Sequence, residues 1–392
     1  MKQLIIALII TIVFSSNLFS QNNIDSILSG IEKNSTRLSA LRKSAESEKI
    51  GNKTGIYLQN PEFEFNYLWG NPSVIGNRTD VSITQSFDFP TVYRYQNQIS
   101  NIKNKQVELE YQKQRNALLL QTRLILNDLV YVNAFKSELS KRLIHAQRIA
   151  NSYKAKFDIG ETNILEYNKA QLNLLNISKE VESTKIERIV LLSELTRLNG
   201  GVFIDFTDSI FQSPGIPVDF EQWYVIAEQN NPLLNWLKQE IEKSQKQEKF
   251  NKALSLPKLQ AGYMSERIVG EQFQGVTVGL SIPLWENKNT IKYAKAYSLA
   301  VESIANDNRM QFYNQLKALH TKANGLQNSA NDYRLNLLSF DNSELLKMAL
   351  DKGEIGLIDY ILELSIYYES VNKLLELERG LNKTLAELNQ YM

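Results

Sequence analysis

Hydrophobic positions in this chain follow two different periods. Four short stretches alternate residue by residue, near 61–69, 80–89, 257–266 and 275–285. In the last, Val276, Val278, Leu280, Ile282 and Leu284 point one way, and Thr277, Gly279, Ser281 and Pro283 the other. Val81, Ile83, Phe87 and Phe89 likewise oppose Ser82, Thr84, Ser86 and Asp88, and Phe63, Phe65, Tyr67 and Trp69 oppose Glu62, Glu64 and Asn66. A period of two predicts strands with one apolar face. Tyr67, Trp69, Tyr263 and Trp285 near their ends would suit an interfacial aromatic girdle.

Elsewhere the period is 3.5. Leu118, Thr122, Ile125, Leu129, Val132, Lys136, Leu139, Leu143, Ala146, Ala150, Tyr153 and Phe157 step by fours and threes. Leu357, Tyr360, Leu364, Tyr367, Val371, Leu374, Glu378, Leu381, Leu385 and Leu388 do the same. Such heptads predict left-handed coiled coils. Thr91 to Asp158 holds no Pro or Gly, and wholly helical it would span ~100 Å. Gly160 and Gly353 then supply the left-handed residue at which the chain doubles back.

The two patterns occur twice, in one order. The segment from Lys156 to Tyr167 aligns with Ala349 to Tyr360, sharing Asp-x-Gly-Glu, two branched apolar residues, an acid and a Tyr. Pro61 to Tyr67 aligns with Pro257 to Tyr263, and Val81 to Phe89 with Val276 to Leu284. The three offsets agree closely, which marks an internal duplication. The first repeat, 21–213, is read with long hairpin helices at 91–158 and 161–199. The second, 214–392, has them at 287–351 and 354–391. Between them, Gly200-Gly201 ends a helix and Val202 to Pro217 reads as a short strand and linker. Asp219 is the expected N-cap of the next helix, which Asn231-Pro232 breaks.

Residues 1–20 read as a secretory signal: the basic head Met1-Lys2-Gln3, an apolar run from Leu4 to Phe14, and a cut after Ser20. Composition narrows the chemistry. With 44 Lys+Arg against 43 Asp+Glu, no basic excess points to nucleic acid. Zero cysteines exclude disulfides, thiolate metal sites and a lipidated Cys. The two histidines, His145 and His320, do not align under the repeat and read as packed or solvated helix residues. No nucleophile elbow or His-Glu-x-x-His spacing is present, so neither an enzyme nor a cofactor is expected.

No stretch in the mature chain is apolar enough for a membrane helix, so any membrane crossing would use β-structure. Four strands cannot close a membrane barrel, whose smallest examples have about eight. Several copies would therefore share one. The alternative is a soluble periplasmic coiled-coil adaptor or spacer with hairpins packed internally.

Particular residues resemble the TolC-like outer-membrane efflux proteins. They are Asn60-Pro61-Glu62-Phe63-Glu64-Phe65, Gln85-Ser86-Phe87-Asp88-Phe89-Pro90, Leu256-Pro257-Lys258-Leu259 and Val278-Gly279-Leu280-Ser281-Ile282-Pro283-Leu284-Trp285, with the helix turns Phe157 to Leu172 and Leu350 to Leu364. The Asn-Pro-Glu opening and Phe-Asp-Phe-Pro exit look most like the heavy-metal cation-efflux branch. Glu286-Asn287-Lys288-Asn289 departs from the Asp-Gly-Gly-Arg often found there. The resemblance implies a mainly α protein with membrane β: four strands per chain in a shared 12-stranded trimeric barrel, and a coiled-coil periplasmic tunnel. It also implies a homotrimer in outer-membrane lipid, working with a periplasmic adaptor (membrane fusion) protein and an inner-membrane pump. The cargo could be metal ions, drugs or polypeptides. The family's gate aspartate falls on Asp359, its second on Leu362, and the repeat equivalent of Asp359 is Glu166. Adaptor contacts would fall on Asp158, Gly160, Glu161, Asp351, Gly353 and Glu354.

Overall fold

The computed structural model describes residues 23–212 and 214–392; the expected export signal lies outside them. Residues 23–34 form helix α1. There follow α2 (Thr36–Gly51), β1 (Glu62–Leu68), a 3-10 turn (Ser73–Ile75), β2 (Arg78–Phe87), α3 (Pro90–Asp158) and α4 (Ile164–Leu198). The second half runs α5 (Phe220–Asn230), α6 (Pro232–Leu254), β3 (Lys258–Ile268), β4 (Glu271–Ser281), α7 (Thr290–Ser339), α8 (Ser343–Asp351) and α9 (Leu357–Leu388).

The chain folds as two compact units, and neither is a sequence half. One comprises Leu41–Lys113 and Asn231–Phe312; the other joins the described residues up to Ala40 with Gln114–Asn230 and Tyr313–Met392. Each therefore draws equivalent pieces from both repeats.

In the first unit the strands make one antiparallel sheet in the order β1-β2-β3-β4. The central β2–β3 pair joins the two repeats, with Ile83 opposite Tyr263 and Ser86 opposite Gln260. Val269 and Gly270, both at positive φ, turn β3 into β4 in two residues, as a hairpin of this handedness requires. Val92, Ile102, Leu234, Leu237, Ala294 and Val301 form the helical core here. Glu240 is buried within it. It accepts from Gln106 Nε2 at 2.7 Å, from the Tyr297 hydroxyl at 2.8 Å and from Lys243. Burial alone would raise its pKa, but these donors together hold it below the usual carboxylate value.

In the second unit most of the expected α3 stripe is buried, namely Leu118, Thr122, Ile125, Leu129, Val132, Leu139, Ala146 and Ala150, while Lys136, Leu143 and Tyr153 are half-buried and Phe157 is exposed. Leu357, Tyr360, Leu364, Leu381, Leu385 and Leu388 bury the matching stripe of α9. Two local expectations change. No strand forms among the described residues of 202–217. Asn133 Nδ2 donates to the Phe206 and Asp208 carbonyls (3.3 and 3.0 Å), and Arg188 Nη2 donates to that of Phe206 (3.0 Å). Side chains thus satisfy the backbone in place of a ladder. The helix expected over 287–351 is interrupted between α7 and α8. There Asp341 Oδ1 accepts from the Ser343 amide (3.1 Å) and hydroxyl (2.6 Å), a local turn that competes with the helix. Asp219 caps α5 as expected, accepting from Gln222 N at 3.0 Å, and Asn231, at the expected break, caps α6 by accepting from Leu233 N at 2.8 Å.

Candidate channel-forming sheet and helix-turn tips

The register sorts the sheet into two chemically different faces. One carries Phe63, Phe65 and Tyr67, then Val81 and Ile83, then Ala261 and Tyr263, then Val276, Val278 and Leu280, with Gln85, Ser265 and Gln274 among them. The other carries Glu62, Glu64 and Asn66, then Asp80, Ser82 and Thr84, then Gln260 and Gly262, then Thr277, Gly279 and Ser281. The apolar face is bare: Phe63 is 68%, Val276 86% and Val278 82% exposed. A soluble chain rarely leaves so many large apolar side chains together in water. Among the described residues, the outer edges of β1 and β4 have no strand partner, a configuration that invites pairing with another chain. On the polar face, Arg78 bridges Asp80 at 2.8 Å and Glu266 at 3.2 Å.

The two helix turns in the second unit are built alike. After α3, Gly160 (φ +79°) follows the helix and Glu161 N donates back to the Lys156 carbonyl at 2.8 Å. After α8, Gly353 (φ +73°) precedes Glu354, whose N–H reaches the Ala349 carbonyl, also at 2.8 Å. Each is a Schellman closure, and a side chain at either glycine would be strained. Asp158, Gly160, Glu161, Asp351, Gly353 and Glu354 are all exposed.

Asp359 and Glu166 hold the same third position of α9 and α4. Asp359 is exposed, and its Oδ2 accepts a long 3.4 Å bond from Gly356 N, closing the start of α9. At the start of α4, Asn163 Oδ1 accepts from Glu166 N (3.0 Å), and the Glu166 carboxylate pairs with Lys169 at 3.2 Å. Phe157 stacks on Tyr167 beside it, ring centroids 5.2 Å apart. Leu362 is exposed.

Between these turns and the rest of α9 lies a polar seam. Arg142 of α3 is buried, with Nη2 donating to Asn372 Oδ1 (2.8 Å) and the Tyr368 carbonyl (3.3 Å). Its guanidinium lies 4.4 Å from the centre of the Tyr368 ring, and its Nε has no partner. Burial lowers its pKa. His145, one turn on, has Nδ1 3.5 Å from the Tyr368 hydroxyl and its ring edge-on to Tyr360. Burial first, then Lys347 and Arg148, depress its pKa. Burial pushes the Tyr360 hydroxyl up to about 12. A cavity of about 230 Å³ opens between α3, α4 and α9 here, lined by Arg142, Asn173, Glu180 and Tyr368. Further along, Asp128 accepts from Arg379 Nε at 2.7 Å and from Lys383 Nζ at 3.0 Å.

No protein-family model matches the chain, nor does any curated protein. Solved structures do. The Campylobacter jejuni CmeC outer membrane channel superposes with a TM-score of 0.77 at 14% identity, over 94% of this chain and 85% of that one. CusC, described in the course of transmembrane channel formation, gives 0.77 at 13% identity, over 94% and 91%. The Vibrio cholerae outer membrane protein VceC gives 0.72 at 12%, over 94% of both chains. The fold of this chain is that of the TolC-like outer-membrane channels. CmeC and CusC fit the chain equally well, so the match does not sort it to one branch of the TolC-like fold.

Within that fold the tip residues expected from sequence are together at the two turns, while Asp359 and Glu166 each serve the start of a helix. The Arg142–His145 seam and the Asp128 bridge went unforeseen. Their only sequence signal is a charged or polar residue beside an apolar heptad, which many solvated positions share.

Proposed function

We propose that the protein is the outer-membrane channel of a tripartite efflux system: a homotrimer that conducts cargo passively, without catalysis, from the periplasm to the exterior. One observation carries this reading. Among the described residues the chain leaves a predominantly apolar sheet face and two open strand edges exposed, on the fold of outer-membrane channels. Lipid would cover the face and further copies the edges, since open edges are not tolerated in a bilayer. Among the described residues no helix is long and apolar enough to cross a membrane, so the sheet is the element suited to that task.

In this reading three sheets make a twelve-stranded barrel in a Gram-negative outer membrane, and the long helices form a periplasmic tunnel. A periplasmic adaptor would meet the turns at Asp158–Glu161 and Asp351–Glu354, and an inner-membrane pump would supply the energy. Asp359, with Glu166 as its repeat equivalent, would ring the periplasmic opening. Metal cations are the cargo suggested by the likeness of the strand motifs.

The test is the mass of the mature protein extracted in mild detergent from separated outer membranes. A stable trimer is the expected result. A monomer or dimer in the soluble periplasmic fraction would overturn the channel and leave the coiled-coil adaptor or spacer.

A further inference from the structure

The predominantly apolar face of the sheet is graded along its strands. The pairings align its residues in rows. Phe63, Ile83, Tyr263 and Val276 make an aromatic and aliphatic row across all four strands. On the side towards the helices follow Gln85, Ala261 and Val278, then Phe87, Leu259 and Leu280. On the side towards the hairpin turns the character changes. Phe65 and Val81 continue into Ser265 and Gln274, and Tyr67 into Thr79, Arg267 and Gln272. The polar groups gather at the β3–β4 corner.

That corner is rich in donors and cationic. Arg267 is exposed and makes no ion pair or hydrogen bond with another described residue. None of the strand residues on this face is acidic, because Asp80, Glu266 and Glu271 fall on the other one. The Tyr263 hydroxyl donates to Gln274 Oε1 at 2.9 Å, and Gln272 Nε2 donates to the Ser265 hydroxyl at 3.1 Å. Those two bonds leave the Gln274 amide N–H groups, the Ser265 O–H and the guanidinium fork free to donate.

We propose that this corner binds a phosphate group of a lipid in the outer leaflet, the phosphorylated glycolipid of a Gram-negative outer membrane. Arg267 is its principal ligand, with Gln274 and Ser265 as further donors. This inference rests on the channel reading, which puts the sheet in that membrane, and adds the lipid it holds.

The level of the corner is the first support. The chain enters α3 just after β2 and α7 soon after β4, so the corner lies at the end of the sheet remote from those helices. With the helices in the periplasm, it faces the exterior. Arg267 is eight residues along β3 from Leu259, about 26 Å along the strand and about 20 Å in height at a tilt of ~40°. The apolar band of such barrels is ~25 Å tall. Arg267 therefore stands near its upper edge, where lipid phosphates lie, and is spared the cost of a charge at the bilayer centre. Trp69 and Val269, 80% and 70% exposed, flank it at the turns. Trp69 meets Tyr67 edge-to-face at 5.6 Å, an arrangement suited to the interface.

Charge is the second. A guanidinium offers two parallel N–H groups to a phosphate, a geometry an ammonium cannot supply. Acyl chains of the same lipid would run down over Tyr263, Val276 and Val278.

Native mass spectrometry of the trimer, extracted in mild detergent and incubated with diphosphorylated lipid A, tests this. The trimer is expected to retain lipid A at least about fivefold more than phosphatidylethanolamine, and Arg267→Gln to lose that excess. Arg267→Lys, which keeps the charge, should keep part of it. Lys258→Gln, on the opposite face, should keep all of it. Unchanged retention in Arg267→Gln, or equal retention of phosphatidylglycerol and lipid A by the native trimer, would overturn the site. The trimer mass in the same spectra shows that the shared barrel stands in that case. A native protein that yields no trimer would instead bring down the channel reading, and the lipid site with it.

Discussion

Arg142 sits in the α3–α9 seam with no carboxylate in salt-bridge contact among the described residues, held by an amide, a carbonyl and an aromatic face. A guanidinium tolerates such surroundings better than an ammonium, because it is planar and weakly hydrated. Its neighbour His145 makes the seam sensitive to acid. The groups facing that imidazole are Arg148 on α3, Lys347 and Glu344 on α8, and Tyr360 and Tyr368 on α9. Because the folded pKa is depressed, the unfolded chain takes up the proton first. The seam's stability is complete above about pH 6.5, the unfolded value, and is lost as pH falls through the depressed one. Amide exchange at the start of α9 is therefore expected to quicken by roughly two- to fivefold, beyond the intrinsic pH effect, between pH 7.5 and 5. His145→Gln should abolish that excess. An equal excess in the variant would assign the effect to another group.

At the scale of elements, the period-two pattern of β4 makes opposite predictions for adjacent residues. Val278 lies on the apolar face and Thr277 on the polar one. Val278→Lys is expected to cost about 2–4 kcal/mol if that face meets lipid near the midplane, while Thr277→Lys, on the polar face, should cost well under 1 kcal/mol. Urea midpoints of the folded protein in lipid vesicles would measure both. Equal, small losses would mean the apolar face does not contact lipid. The alternation itself was legible in sequence because a strand's faces depend only on parity. The α7–α8 break was not, since Asp341 and Ser343 read as ordinary helix-surface residues until their bonds at 2.6 and 3.1 Å are seen. The same holds for 202–217, where short apolar stretches suggested a strand but Asn133 and Arg188, far away in sequence, claim the backbone.

For the assembled molecule the question is charge around the pore. Three copies of Asp359 about an axis would repel one another and attract cations. In the single chain its carboxylate also closes the start of α9, so the two roles need separating. Asp359→Ala removes charge and cap, whereas Asp359→Asn removes the charge and retains an acceptor. Both are expected to weaken block by multivalent cations in planar bilayers by about fivefold or more, with Ala alone also raising resting leak. Unchanged block in both variants would take Asp359 out of the gate. Glu166 is the weaker candidate, because Lys169 already neutralises it in part.

What the sequence determined by itself is whatever depends on neighbours along the chain. Strand parity, heptad stripes, the Gly160 and Gly353 turns, the Asp219 cap and the Asn231-Pro232 break all follow from local sterics and from which residues shun water. The duplication, too, was legible, because it is written in residue identities. The tertiary structure decided which edges pair. It joined β2 to β3 across the repeats and left β1 and β4 open. It also buried Arg142 and His145 against α9, and set Asp359 to capping its own helix. Those outcomes depend on competition between groups more than a hundred residues apart, or between a side chain's possible partners, and only the packed chain resolves them.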